Sequence, residues 1–142
     1  MAARQAFVLD SFALLAYLEG EAGMMRVRDV LEDAAVRRQP VYLSLINLGE
    51  VLYITERERG LVAAGRTLGA VDELPIELVD VSRTTVLSAA RIKASFRISY
   101  ADAFAVVTAR DHAATVITGD PEFRDVAHAG VVEVEWLPRR RS

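Results

Sequence analysis

Residues 7–18 read Phe7-Val8-Leu9-Asp10-Ser11-Phe12-Ala13-Leu14-Leu15-Ala16-Tyr17-Leu18, an apolar run with a single charge at its centre. Removing an ionised carboxylate from water costs several kcal/mol unless hydrogen bonds or a cation replace the lost hydration. Asp10 therefore needs a partner or a metal. Residues 6–9 read as a short buried strand, and Asp10-Ser11 suits a helix N-cap ahead of the Ala/Leu-rich residues 12–18. The acid stands at the carboxyl end of a strand.

The same alternation of short apolar runs and longer periodic ones continues along the chain. Met24, Val27, Val30, Leu31 and Ala34 recur at helical spacing as far as Arg37-Arg38. Residues 41–43 give a brief strand, and Ser44 caps a helix that ends at Gly60. Residues 61–74 form a further helix, 76–81 a strand, and 86–96 another helix. Ser99 opens a helix through Arg110, residues 115–118 form a strand, and residues 131–136 alternate as the last one. Gly119-Asp120-Pro121 is a turn. Strands separated by helices, without tight hairpin signals, imply an α/β fold: a central parallel sheet with helices on both faces, as a three-layer α/β/α sandwich.

At 142 residues the chain reads as one domain over 1–137, followed by a basic tail at 138–142. A hydrophobic fraction of 52% fits a packed core. No apolar run approaches the roughly 20 residues of a membrane span, and Asp10 interrupts the N-terminal run, so a cytoplasmic location without a membrane is expected. Zero Cys excludes disulfides and thiolate ligands, and two histidines cannot by themselves complete a structural zinc site. A metal site here must be built from oxygen. The net charge of −3 does not favour nucleic acid by itself, but acids that hold divalent cations lower the net charge without opposing a polyanion once the metal is bound.

Sheets of this kind bind ligands outside the carboxyl ends of their strands. Asp10 and Asp120 both follow strands. Glu50 is the only charge between Ser44 and Thr55, with Asn47 one turn before it on the same face, and Asp102 is the only charge between Arg97 and Arg110. Both helices are expected to follow strands, which brings all four acids to one rim. Each also has a local role open to it: Asp10 as a cap, Asp102 three residues after Ser99 in capping-box spacing, and Asp120 in a Gly-Asp-Pro turn. Four isolated acids on one rim are harder to ascribe to capping. Clustered carboxylates repel unless a cation neutralises them. Oxygen donors suit Mg²⁺ or Mn²⁺, and such an ion activates water for hydrolysis of a phosphodiester.

The segments Phe-Val-Leu-Asp-Ser-Phe-Ala-Leu-Leu-Ala-Tyr-Leu, Asn-Leu-Gly-Glu-Val, Ser-Tyr-Ala-Asp-Ala-Phe-Ala-Val-Val-Thr-Ala and Val-Ile-Thr-Gly-Asp-Pro-Glu-Phe, in this order, resemble a PIN domain of the VapC toxin type. The resemblance covers nearly the whole chain. It implies a Mg²⁺- or Mn²⁺-dependent endoribonuclease, a homodimer, and inhibition by a cognate antitoxin that covers the acidic site. It makes Asp10, Glu50, Asp102 and Asp120 the metal-binding and catalytic acids, with Thr118 and Ser11 beside them; Asp125 stands close enough to share the role of Asp120. Glu122 and Asp125 otherwise read as solvated loop charges, His112 and His128 as surface residues. Arg91, Lys93, Arg97 and the tail Arg139-Arg140-Arg141 offer charge to an RNA backbone. An aspartyl-phosphate enzyme fits poorly, because Phe12 stands where the phosphatases need a second Asp and the only lysine, Lys93, falls in a helix. A non-catalytic PIN module that binds RNA or protein is the alternative.

Overall fold

The computed structural model describes residues 5–138. Its frame is a five-stranded, wholly parallel sheet built from β1 (Phe7–Leu9), β2 (Val41–Ser44), β3 (Glu77–Val79), β4 (Thr115–Thr118) and β5 (Val134–Trp136), in the order β3-β2-β1-β4-β5. Around it lie α1 (Ser11–Glu19), α2 (Met24–Arg37), α3 (Leu45–Arg59), α4 (Leu61–Asp72), α5 (Arg83–Ser95), α6 (Tyr100–Asp111) and α7 (Arg124–His128).

The period-2 geometry of the strands divides the core into two layers. Phe7, Leu9, Val41, Leu43 and Ile117 face α1, α2, α3 and α4. Val8 and Val116 face the opposite way, toward α5, α6 and α7. Both faces of the central strands are thus covered, which explains why β1 and β4 read as continuous apolar runs rather than as alternating ones. The three-layer α/β/α sandwich expected from the sequence is the observed one.

Three local differences have plain causes. Helix α5 begins at Arg83, three residues ahead of the apolar periodicity, because Ser82 and Thr85 form a reciprocal capping box. Strand β5 is shorter than the alternation of residues 131–136: Val131 closes the turn after α7 through its N–H to Val126 O, and Val132 is buried from a bend instead of a strand. The third concerns α6, which follows helix α5 and not a strand. Its N-terminus still reaches the carboxyl rim of the sheet, because α6 leads through a short connection into β4 and so runs antiparallel to it.

The chain order reverses at β1, whose neighbours β2 and β4 lie on either side, so the crevice for a ligand opens where β1 and β4 end. Two local features complete the frame. Helix α1 stops at Gly20, whose φ of 68° is left-handed and suits glycine. The edge strand β5 is clamped to α2 by Arg26, which donates from Nε and a terminal nitrogen to the two Glu135 oxygens at 2.7 and 2.9 Å.

Candidate active site

Asp10 is the N-cap of α1 and is 1% exposed. Its Oδ1 accepts the N–H of Ala13 at 2.8 Å, and its Oδ2 accepts the hydroxyl of Thr118 at the end of β4. The local capping role and a role at the rim coexist, because a carboxylate has two oxygens and the cap occupies one. Thr118 Oγ1 in turn accepts the N–H of Asp120 at 3.0 Å. One hydroxyl, fully buried, therefore joins the acid after β1 to the acid after β4.

The loop carrying Asp120 is held by packing. A Cβ on Gly119 would lie 2.4 Å from the Phe12 ring, so only glycine lets the loop close over the first turn of α1. Asp120 caps the short 3-10 helix Pro121–Phe123 through the N–H of Glu122, at 2.9 Å.

Asp102 lies in the first turn of α6 and is 5% exposed. Its N–H is bonded to Ser99 Oγ at 3.2 Å, but it does not complete the capping box. The Ser99 N–H goes instead to Glu122 Oε1 at 2.6 Å. Asp102, Asp120 and Glu122 consequently form a group whose carboxylate oxygens lie within 4.8 Å of one another, and no other such group of three occurs among the described residues. Glu122 is the member that sequence reasoning placed in solvent. It is exposed, yet its carboxylate is engaged at the rim; its position two residues beyond Asp120 in a rim turn was the available signal.

Glu50, six residues into α3, is half-buried and accepts the Tyr53 hydroxyl at 3.4 Å. Beneath it, fully buried Asn47 donates from Nδ2 to Ser11 Oγ and to Ala101 O, both at 3.2 Å, while Ser11 Oγ donates to Asn47 O at 3.4 Å. This amide ties α3 to the neighbours of Asp10 and of Asp102. Asp125 is exposed on α7 and lies outside the three-acid group. His128 is exposed, and His112 is half-buried against Tyr42, with Nδ1 2.9 Å from Thr108 O.

The electrostatics follow from burial. Desolvation pushes the Asp10 carboxyl up to about 7 against the hydrogen bonds from Thr118 and Ala13, with Asp120 and Glu50 adding like charge. Desolvation also raises Asp102, to about 8, with repulsion from Asp10, Asp120 and Glu122 and an opposing bond to Ser99. Glu50, which belongs to neither hydrogen-bond chain, is thereby linked to the same field. Two buried acids raised by desolvation and by neighbouring carboxylates, on a rim of oxygen donors, are suited to a hard divalent cation.

A family model described as PIN domain matches residues 7–129. Among solved structures, the fold is similar to VapBC2 from Rickettsia felis bound to a DNA fragment from their promoter, with a TM-score of 0.72, 16% identity, and coverage of 94% of this chain and 100% of that one. It is also similar to VapC20 of Mycobacterium tuberculosis, described as a sarcin-ricin loop cleaving toxin (TM-score 0.70, 20% identity, 94% and 100% covered). FitAcB from Neisseria gonorrhoeae gives a TM-score of 0.66 at 20% identity, over 90% of this chain and 95% of that chain. No curated protein matches the chain by sequence. With the model spanning most of its length, including four of the five strands and every acid of the rim, the chain belongs to the PIN domain family.

Proposed function

We propose that this protein is a Mg²⁺- or Mn²⁺-dependent endoribonuclease, the toxin of a toxin–antitoxin pair. The observation that carries the reading is the pair of buried acids, Asp10 and Asp102, raised to about 7 and about 8 beside Asp120, Glu122 and Glu50. Such a pair is poorly stable as two bare anions, and folding retains it only where something gains from it. The donor set fits a hard cation: it is all oxygen, the chain has no Cys, and one oxygen from each of the three grouped acids lies within 4.8 Å of the others, on the scale of the roughly 4.2 Å between opposite ligands of Mg²⁺.

In this reading Asp10, Glu50, Asp102 and Asp120 are the metal-binding and catalytic acids, and Glu122 joins them. Once bound, the cation supplies Lewis acidity and neutralises phosphate charge. The chain's own groups do the positioning. Thr118 and Ala13 hold both oxygens of Asp10, so its carboxylate cannot swing away from the rim. Ser11 and Asn47 keep α3 and α6 in register beneath Glu50 and Asp102. Half-buried Glu50 would hold the ion with Asp10 and Asp102, and Asp120 would hold a second ion or position the water that attacks the phosphodiester.

RNA as substrate, a cognate antitoxin and a homodimer complete the proposal, acting in the cytoplasm. The neighbours that are VapBC complexes support the antitoxin, and among the described residues no helix is long and apolar enough to cross a membrane. Exposed Leu61 and Val62 on α4 offer apolar surface for a protein partner. Growth arrest on expression, relieved by co-expression of the neighbouring partner gene, tests the toxin assignment. A folded chain inert on diverse RNAs with either metal would instead favour a non-catalytic binding module.

A further inference from the structure

Residues 81–110 carry five cations, Arg83, Arg91, Lys93, Arg97 and Arg110, against one acid, Asp102, in a chain whose net charge is −3. Asp102 is buried at the rim, and all five cations are exposed. Helix α5 itself has no acidic residue. The ion pairs among the described residues use Arg26, Arg28, Arg37 and Arg59, and none of the five takes part in one. Unpaired cations gathered along one helix are the electrostatic footprint of a polyanion.

This ridge adjoins the acid group. Arg97 lies in the connection from α5 to α6, two residues before Ser99, whose N–H binds Glu122. Farther on, an open groove of about 360 Å³ between α5 and the end of α6 is lined by Ser88, Arg91, Ser95, Phe96 and Arg110, with Asp111 as its one acid. Arg110 is steadied there by a hydrogen bond from a terminal nitrogen to Val131 O at 3.3 Å. It stands eight residues beyond Asp102, about 12 Å along the helix axis. A nucleotide strand covers that distance within a few nucleotides.

The rim needs such an anchor. Asp10, Glu50, Asp102, Asp120 and Glu122 repel a phosphate chain until a cation is bound, and a cation at the rim meets only the phosphate at the cleaved bond. The other phosphates of the strand require positive charge outside the acid group. The arginines of the ridge supply it, with the hydroxyls of Ser88 and Ser95 as further donors.

We infer that the ridge is the track for the sugar–phosphate backbone of a single-stranded RNA substrate, with Arg97, Arg91 and Arg110 pairing with phosphates beside the cleaved bond. The track rests on the nuclease reading above and adds to it the place where the uncut part of the strand is held.

Binding and cleavage test it separately. With Asp102→Asn protein in Mg²⁺, fluorescence anisotropy follows a labelled single-stranded RNA of about 12 nucleotides across a salt series. Arg91→Gln and Arg110→Gln each lower the slope of log affinity against log salt by about 0.7, the value for one phosphate contact to a single strand, and Arg91→Lys keeps it. Arg66→Gln, the same change of charge on α4, leaves the slope as it is. In cleavage assays the double variant Arg91→Gln/Arg110→Gln raises KM several-fold with kcat nearly unchanged. A slope that stays constant in Arg91→Gln and Arg110→Gln, or falls equally in Arg66→Gln, overturns the track and leaves the nuclease reading intact. The expected slopes without cleavage by the wild type keep the track and overturn that reading. Binding of a polyglutamate peptide that depends on Arg91 and Arg110, with an RNA slope indifferent to both, also overturns the track and assigns the ridge to an acidic protein segment.

Discussion

The carboxylate of Glu122 accepts the backbone N–H of Ser99 at 2.6 Å, across 23 positions of the chain. In a capping box the third residue of the helix makes that bond, and here the third residue is Asp102. With Glu122 in its place, Asp102 stays with the acids of the rim. Glu122→Ala should therefore cost about 1 kcal/mol, the scale of a lost cap. It should also move the Asp102 carboxyl back toward its usual range, because the Glu122 charge is among the causes of its rise. Chemical denaturation and an NMR titration of Asp102 check the two effects separately.

Asp10 and Asp102 make stability depend on pH in a definite sense. Their folded values, about 7 and about 8, stand above the ordinary 3.8, so between these limits the folded state binds more protons than the unfolded one. The contribution is fully present below about pH 4 and is lost as pH rises through 7 and 8. Metal-free protein should melt at a lower temperature at pH 8.5 than at pH 6, and Mg²⁺ or Mn²⁺ should restore more stability at the higher pH. Thermal melts in EDTA and in each metal measure this; a metal effect independent of pH would contradict it.

Asp10→Asn follows from the same balance. The amide oxygen can keep the Ala13 N–H, and the amide nitrogen can donate to Thr118 Oγ1. The variant should fold, melt above the wild type in EDTA at pH 8, and show no cleavage.

Much of this site is legible in the sequence because charge is rare where it matters. Asp10, Glu50 and Asp102 each stand alone in apolar surroundings, and the carboxyl-end rule for parallel sheets converts that isolation into a shared rim. Ser44 and Ser99 announce their helices as caps, and both make the expected bonds. What is not legible depends on tertiary contacts. Glu122 looks like any loop acid until α6 arrives beside it. Helix α7 is too short for periodicity, and Val132 reads as strand because burial from a bend leaves the same apolar signature.

Gly119→Ala tests how tightly the Asp120 loop is seated. The new methyl would clash with the Phe12 ring, and overpacking of this kind costs about 1–3 kcal/mol. Phe12→Leu in the same chain should recover part of the loss, which a double-mutant cycle by urea denaturation will show.

Asn47→Leu removes both side-chain bonds from Nδ2, to Ser11 Oγ and to Ala101 O, from a fully buried amide. A loss of about 1–3 kcal/mol is expected from two hydrogen bonds between helices. Because Asn47 joins the segments carrying Asp10, Glu50 and Asp102, cleavage at a temperature where the variant is fully folded should fall in kcat.

In the proposed function, carboxylates on this rim hold a divalent cation with which the protein cleaves RNA. The direct measurement is cleavage of single-stranded RNA by the purified protein in Mg²⁺ or Mn²⁺, compared with EDTA and with Asp102→Asn. Cleavage by the wild type with metal is expected, and none in EDTA or with the variant. Cleavage that survives both EDTA and Asp102→Asn would contradict it.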